Sequence, residues 1–174
     1  PDYTEAIELE PALPLPYINR GIAYAETEQK RKNREPEELV LRFFAYSDKY
    51  LEFRHDVKKF LDDYMKEKNQ DFDREEMNNR FIKMLNFVDT YFPTGFKKTT
   101  HATITPRVRF EAIAVGVHLA LKEKPDLVPE PVSTWLNSDT FKELTTSDAS
   151  NSAKRLQGRI EFVRDALLNK KPSN

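Results

Sequence analysis

The side chains here that could do chemistry are three histidines, two adjacent acid pairs and a set of arginines and lysines. His55, His101 and His118 are far apart in the chain, and none has a second histidine at helical spacing. A metal site would therefore need ligands gathered by the fold. His118 lies in an apolar run and reads as a hydrogen-bonded core or boundary histidine. His101 lies in Lys97-Lys-Thr-Thr-His-Ala-Thr103, which reads as a solvated loop. Asp62-Asp63 and Glu75-Glu76 are neighbours in sequence. Adjacent helical residues point about 100° apart, so neither pair makes a two-carboxylate site by itself.

The basic residues carry two readings. Lys154, Arg155, Arg159 and Arg164 fall in one C-terminal run, with Arg155 and Arg159 one helical turn apart. Arg107 and Arg109 open an apolar segment, and Lys97 and Lys98 precede it. If they converge, Lys154, Arg155, Arg159, Arg107 and Arg109 would track a phosphate backbone. The other reading is surface charge paired with Glu161 and Asp165. Arg34, Arg42 and Arg109 each sit beside apolar residues. They are candidates for buried ion pairs with Glu38, Glu111 or Asp89 that fix helix register.

The elements that must position these groups are helical. Pro36 followed by Glu37 and Glu38 is a strong helix start. It leads into Leu39, Val40, Phe43, Phe44 and Ala45, with a break at Ser47-Asp48. Val57, Phe60, Leu61 and Tyr64 predict a helix from about Asp56 to Lys68. Asp71 or Asp73 caps the next, where Met77, Phe81, Met84, Leu85, Val88 and Phe92 keep a 3.6-residue period to Pro93. The segment 106–122 is apolar on more than one face, which predicts a central buried helix. Gly116 in its middle costs roughly 1 kcal/mol against alanine, so a neighbouring helix is expected to approach closely there. A short helix is expected over about 133–141. A last helix over about 150–168 buries Leu156, Ile160, Val163 and Leu167. No strand pattern is evident, and the reading is all-α with six to eight helices.

Composition narrows the function classes. With 28 basic and 29 acidic residues the net charge is −1, so the global basic excess usual for a free nucleic-acid-binding domain is missing. Cysteine is absent, which excludes disulfides, thiolate metal sites and a cysteine nucleophile. The chain also lacks about 18 consecutive apolar residues, the length that would span a bilayer. No signal peptide is recognised, and a cytoplasmic location is expected. Four glycines among 174 residues are few for a nucleotide-binding loop. At this length roughly 70% of the unfolded surface can be buried, so neither metal nor disulfide is needed for stability.

Two resemblances add to this. Tyr3, Ala6 and Pro11, then Tyr17, Asn19, Gly21, Ala23 and Tyr24, resemble the tetratricopeptide repeat at its own spacing. The pattern covers about residues 3–25 and stops there. Arg34, the Glu38–Tyr46 run, Phe60–Met65, Phe110-Glu-Ala with Gly116, and Ser150-Asn-Ser152 through Arg159-Ile160 resemble a second family. These segments, in that order across about residues 31–169, resemble the C-terminal helical region of GmrSD-type restriction proteins. Such proteins belong to bacterial anti-phage systems and carry a ParB/sulfiredoxin-like N-terminal domain. The family's Asp-Gly-Gln-Gln-Arg motif and His-Asn-His nuclease domain have no counterpart here.

The resemblance implies a non-catalytic scaffold that supports a nucleotide-handling or nuclease domain. The expected organisation is a helical pair or linker over 1–30 and a helical domain over 31–174. No catalytic residue, metal or cofactor is expected. The expected partner is a catalytic domain of the same or a partner protein. Nucleic acid is a further candidate partner, and no membrane is expected. A tetratricopeptide-like adaptor and a nucleic-acid-contacting module are the alternatives.

Overall fold

A computed structural model describes residues 35–102, 104–146 and 152–170. The repeat-like residues 3–25 and Arg34 lie outside the described residues. Among these described residues seven helices succeed one another: α1 Glu35–Lys49, α2 Val57–Lys68, α3 Arg74–Tyr91, α4 Arg107–Glu123, α5 Ser133–Leu136, α6 Asp139–Leu144 and α7 Ala153–Leu167. The described residues contain no strand, so the fold is all-α.

Side-chain caps set several of these boundaries. Asp56, Asp73, Ser138 and Ser152 each accept a hydrogen bond from the backbone N–H three residues on, starting α2, α3, α6 and α7. Asp73, rather than Asp71, is therefore the cap of α3. The single short helix expected over 133–141 is two helices. Asn137 ends α5, and the Ser138 hydroxyl restarts the chain as α6. The break expected at Ser47-Asp48 falls later, because α1 continues to Lys49. At its far end α7 stops at Leu168, where Asn169 takes φ 54° and the Lys170 N–H reaches back to the Asp165 carbonyl. That is a Schellman ending.

Helix α4 is the hub. Every residue from Val108 to Val117 is buried, with Ala120 and Leu121. It packs against α7, α1 and α3. At Gly116 a β-carbon would stand 2.6 Å from the Val163 Cβ and 2.9 Å from the Ile160 carbonyl oxygen. The glycine thus permits the approach of α7 that its position in the sequence predicts.

The helices around the hub do not all run the same way, which decides where their charged ends gather. Glu111 meets Arg159, Gly116 meets Ile160 and Val163, and Glu123 meets Lys170, so α4 and α7 run in one direction. Glu38 pairs with Arg107 and Arg42 with Glu111, so α1 runs with them. Helix α3 runs oppositely: Phe96, just past its end, packs on Phe110 near the start of α4. Its first turn faces Leu121 and Lys122 at the end of α4. Around this frame the aromatic side chains fill the core. Phe43 meets Phe44, Phe81 and His118 in edge-to-face contacts with centroids 5.0, 5.2 and 5.7 Å apart.

Candidate functional site

Glu111 is the one acid within Val108–Val117, and its side chain is 1% exposed. A carboxylate buried this far must be paired and hydrogen-bonded to stay charged. Helix geometry supplies the partners. Arg42, two turns into α1, donates from Nη1 to Glu111 Oε1 at 2.7 Å. Arg159, on α7, donates from Nη2 to Glu111 Oε2. Arg42 also reaches Glu38 Oε1 at 2.6 Å and the Tyr46 hydroxyl at 3.3 Å. One carboxylate thus ties three helices. Burial works to lower the Arg42 pKa, but Glu111, Tyr46 and Glu38 outweigh it and hold the guanidinium more basic than usual. Burial first, then the Glu111 charge, pushes the Tyr46 phenol up to about 12.

A second cluster joins α1, α2 and α3. Asp48 accepts from the Tyr64 hydroxyl at 2.7 Å and from Arg80 Nη1, and Lys68 lies 3.7 Å away. Burial opposes the Asp48 charge, but the hydrogen bonds from Arg80 and Tyr64 prevail and keep its pKa below the usual carboxylate range. The Arg80 guanidinium also lies over the Phe44 ring, 5.2 Å from its centroid.

Beside this cluster an open groove of about 620 Å³ runs between α3 and α4, lined by Asp73, Glu76, Arg80, Lys83, His118 and Lys122 among others. His118 is half-buried, not a closed core residue. Burial first and the Arg80 cation second lower its pKa to about 4, so the imidazole is neutral at pH 7. Glu75 and Glu76 on the first turn of α3 share the groove with its cations, and Glu76 lies 3.6 Å from Arg80. Among the described residues no group of three or more histidine, aspartate or glutamate side chains is arranged to hold a metal ion.

The structure separates the basic residues that the sequence groups together. Arg159, expected to face a phosphate backbone beside Arg155, is 2% exposed and sits on Glu111. This corrects that expectation, because α4 and the groups packed on it cover the guanidinium. Arg155 is half-buried, with Nη1 placed 3.4 Å from the Glu143 carbonyl. Lys154 and Arg107 are exposed, and Arg107 lies 3.9 Å from Glu38. Arg42 makes a buried pair with Glu111 and a partly buried one with Glu38, as its setting suggests.

Arg109 makes no such pair with a described acid. Its Nε donates to the Lys97 carbonyl at 3.1 Å, and the guanidinium lies over Phe141, 5.1 Å from the centroid. Arg164 pairs with Asp165 and Glu161 at the surface, as the sequence suggests. Asp89, His55 and His101 are exposed.

The Asp48 cluster and the His118 groove escape sequence reasoning, because their members are 16 to 35 residues apart from their nearest partners on neighbouring helices. Burial of Arg159 does leave a signal. It stands three residues after Leu156 and four before Val163, inside the apolar stripe of α7.

No family model, curated protein or solved structure matches this chain. Among the described residues no helix is long and apolar enough to cross a membrane.

Proposed function

We propose that the chain is a helical scaffold module of a GmrSD-like restriction protein. In this reading it holds or couples a nucleotide-handling or nuclease domain. One observation carries the proposal: Arg42, Glu111 and Arg159, from three separate segments of the resemblance, meet in one buried cluster. A resemblance made of scattered segments gains weight when those segments serve one another. Buried ion clusters stabilise little against an apolar replacement, and fixing a single helix register is their best-attested use. A module whose work is to hold another domain in place needs that fixed register.

The test is calorimetric titration of the chain with the purified ParB/sulfiredoxin-like domain of the same or a partner protein. Nucleotide hydrolysis is followed in parallel. The proposal expects saturable binding and a changed hydrolysis rate. A folded chain that neither binds the domain nor alters its rate would overturn it.

A further inference from the structure

The groove between α3 and α4 carries charge of both signs, and its α3 wall keeps the signs in order. The acids Asp73, Glu75 and Glu76 come first, and the cations Arg80 and Lys83 follow. Along the helix axis Arg80 lies about 6 Å and Lys83 about 10 Å beyond Glu76. The α4 wall adds Lys122, facing the first turn of α3, and His118, within reach of the Arg80 charge. With the imidazole neutral, three acids meet three cations, so the lining has no net charge.

Several of these groups lack a partner of their own. Among the described residues no opposite charge lies in ion-pairing reach of Glu75, Lys83 or Lys122, and His118 makes no hydrogen bond. The floor is held in place. The Arg80 side chain is 12% exposed, with Nη1 on Asp48 and its plane over Phe44. His118 packs edge-to-face on Phe43, and buried Leu121 lines the same floor. Glu75, Lys83 and Lys122 are exposed at the rim. The volume of about 620 Å³ lies within the range of small-molecule sites.

We propose that this groove binds a small zwitterion of the class of a short peptide. Its ammonium lies against Glu75 and Glu76, and its carboxylate against Arg80 and Lys83 beside His118. An extended chain spans about 3.5 Å per residue, so a peptide of about two or three residues matches the separation of the two ends. An anion alone, or a polynucleotide, would meet the acids of α3, and a cation alone would meet Arg80 and Lys83. Only a ligand of both signs is complementary to the whole groove. The site goes beyond the scaffold reading, since it uses none of the Arg42, Glu111 and Arg159 side chains.

The experiment is nuclear magnetic resonance on the full chain, following the His118 ring signals as triglycine is added at pH 7 and constant ionic strength. N-acetyl-triglycine lacks the ammonium, and triglycine amide lacks the carboxylate. Saturable shifts are expected with the free peptide, and each blocked form is expected to bind about tenfold more weakly, since one charge-assisted contact is lost. The surface variant Glu75→Gln/Glu76→Gln should bind the free and acetylated peptides alike. Lys83→Gln should narrow the preference for the free peptide over its amide. Arg80, Lys122 and Lys83 oppose a proton on His118 and Asp48 favours one. A carboxylate bound beside them adds to Asp48, so the peptide should raise the His118 pKa from about 4. No saturable shift with triglycine, equal binding of free and blocked peptides, or preferences unchanged in both folded variants would overturn the site.

Discussion

Replacing Glu111 with glutamine keeps its shape and removes its charge. Arg42 keeps Glu38, whose side chain is 38% exposed, but both Arg42 and Arg159 lose the carboxylate they share. The side chains of Arg42 and Arg159 are 7% and 3% exposed, so water cannot replace it. Two guanidinium groups then face each other across a neutral amide. Breaking a buried pair by removing one partner costs about 3–5 kcal/mol. For a domain of this size each kcal/mol lowers Tm by about 2–4 °C, so a drop of about 10 °C is expected.

Urea unfolding followed by fluorescence is the assay. Trp135 is the sole tryptophan and reports on the core, since it packs on Phe92, Phe141 and Phe162. A loss below about 1 kcal/mol would refute the reasoning, because the carboxylate would not then be balancing the buried charge. A companion variant sharpens the point. Arg42→Met, Glu111→Leu and Arg159→Met together remove the three buried charges at once and leave the partly exposed Glu38 to Arg107. They are expected to leave stability unchanged or raised by about 1–4 kcal/mol. A triple variant as unstable as Glu111→Gln would show that the cost comes from lost shape rather than stranded charge.

Gly116→Ala gains about 1 kcal/mol of helix propensity but drives a β-carbon into Val163 and the Ile160 carbonyl. Overpacking of about 1–3 kcal/mol dominates, and thermal melts are expected to show net destabilisation that Val163→Ala relieves only in part. Asn169→Ala places an ordinary side chain at φ 54°, with an expected loss of about 1 kcal/mol in the same assay. His118 sets an acid limb to stability. Its folded pKa of about 4 lies below the ordinary 6.5, so below pH 6.5 the unfolded chain takes up a proton that the fold refuses. Its contribution is therefore full above pH 6.5, declines as pH falls towards 4 and flattens below that, by about 3 kcal/mol in all. Denaturant midpoints at pH 7 and 4.5 measure it. His118→Gln should flatten that part of the profile, and an equal drop in the variant would assign the limb to other groups.

What the sequence discloses here depends on how far a signal travels along the chain. Caps and apolar periods are local, so α2, α3 and α7 start where Asp56, Asp73 and Ser152 stand. The hub is legible because 106–122 is apolar on more than one side. Gly116 is legible as a contact point because a mid-helix glycine needs a reason. Glu111 is legible as a partner for Arg42 because a charge in a buried run demands one. Arg159 is misread because its spacing from Arg155 suggests a shared exposed face, whereas its spacing from Leu156 and Val163 places it inside. Both patterns are helical, and only the position of α4 decides between them.

Charge balance within the bundle separates Arg159 from Arg109. Each is an arginine set among buried apolar residues, and each is more than nine-tenths covered. Arg159 has a buried carboxylate on the facing helix, so its charge is accounted for within the bundle. Arg109 instead faces a ring and a carbonyl, with no carboxylate partner among the described residues. Of the arginines that the sequence groups as phosphate-facing, Arg159 is therefore neutralised inside the bundle and Arg107 lies near Glu38, whereas Arg109 and Arg155 rest on backbone carbonyls.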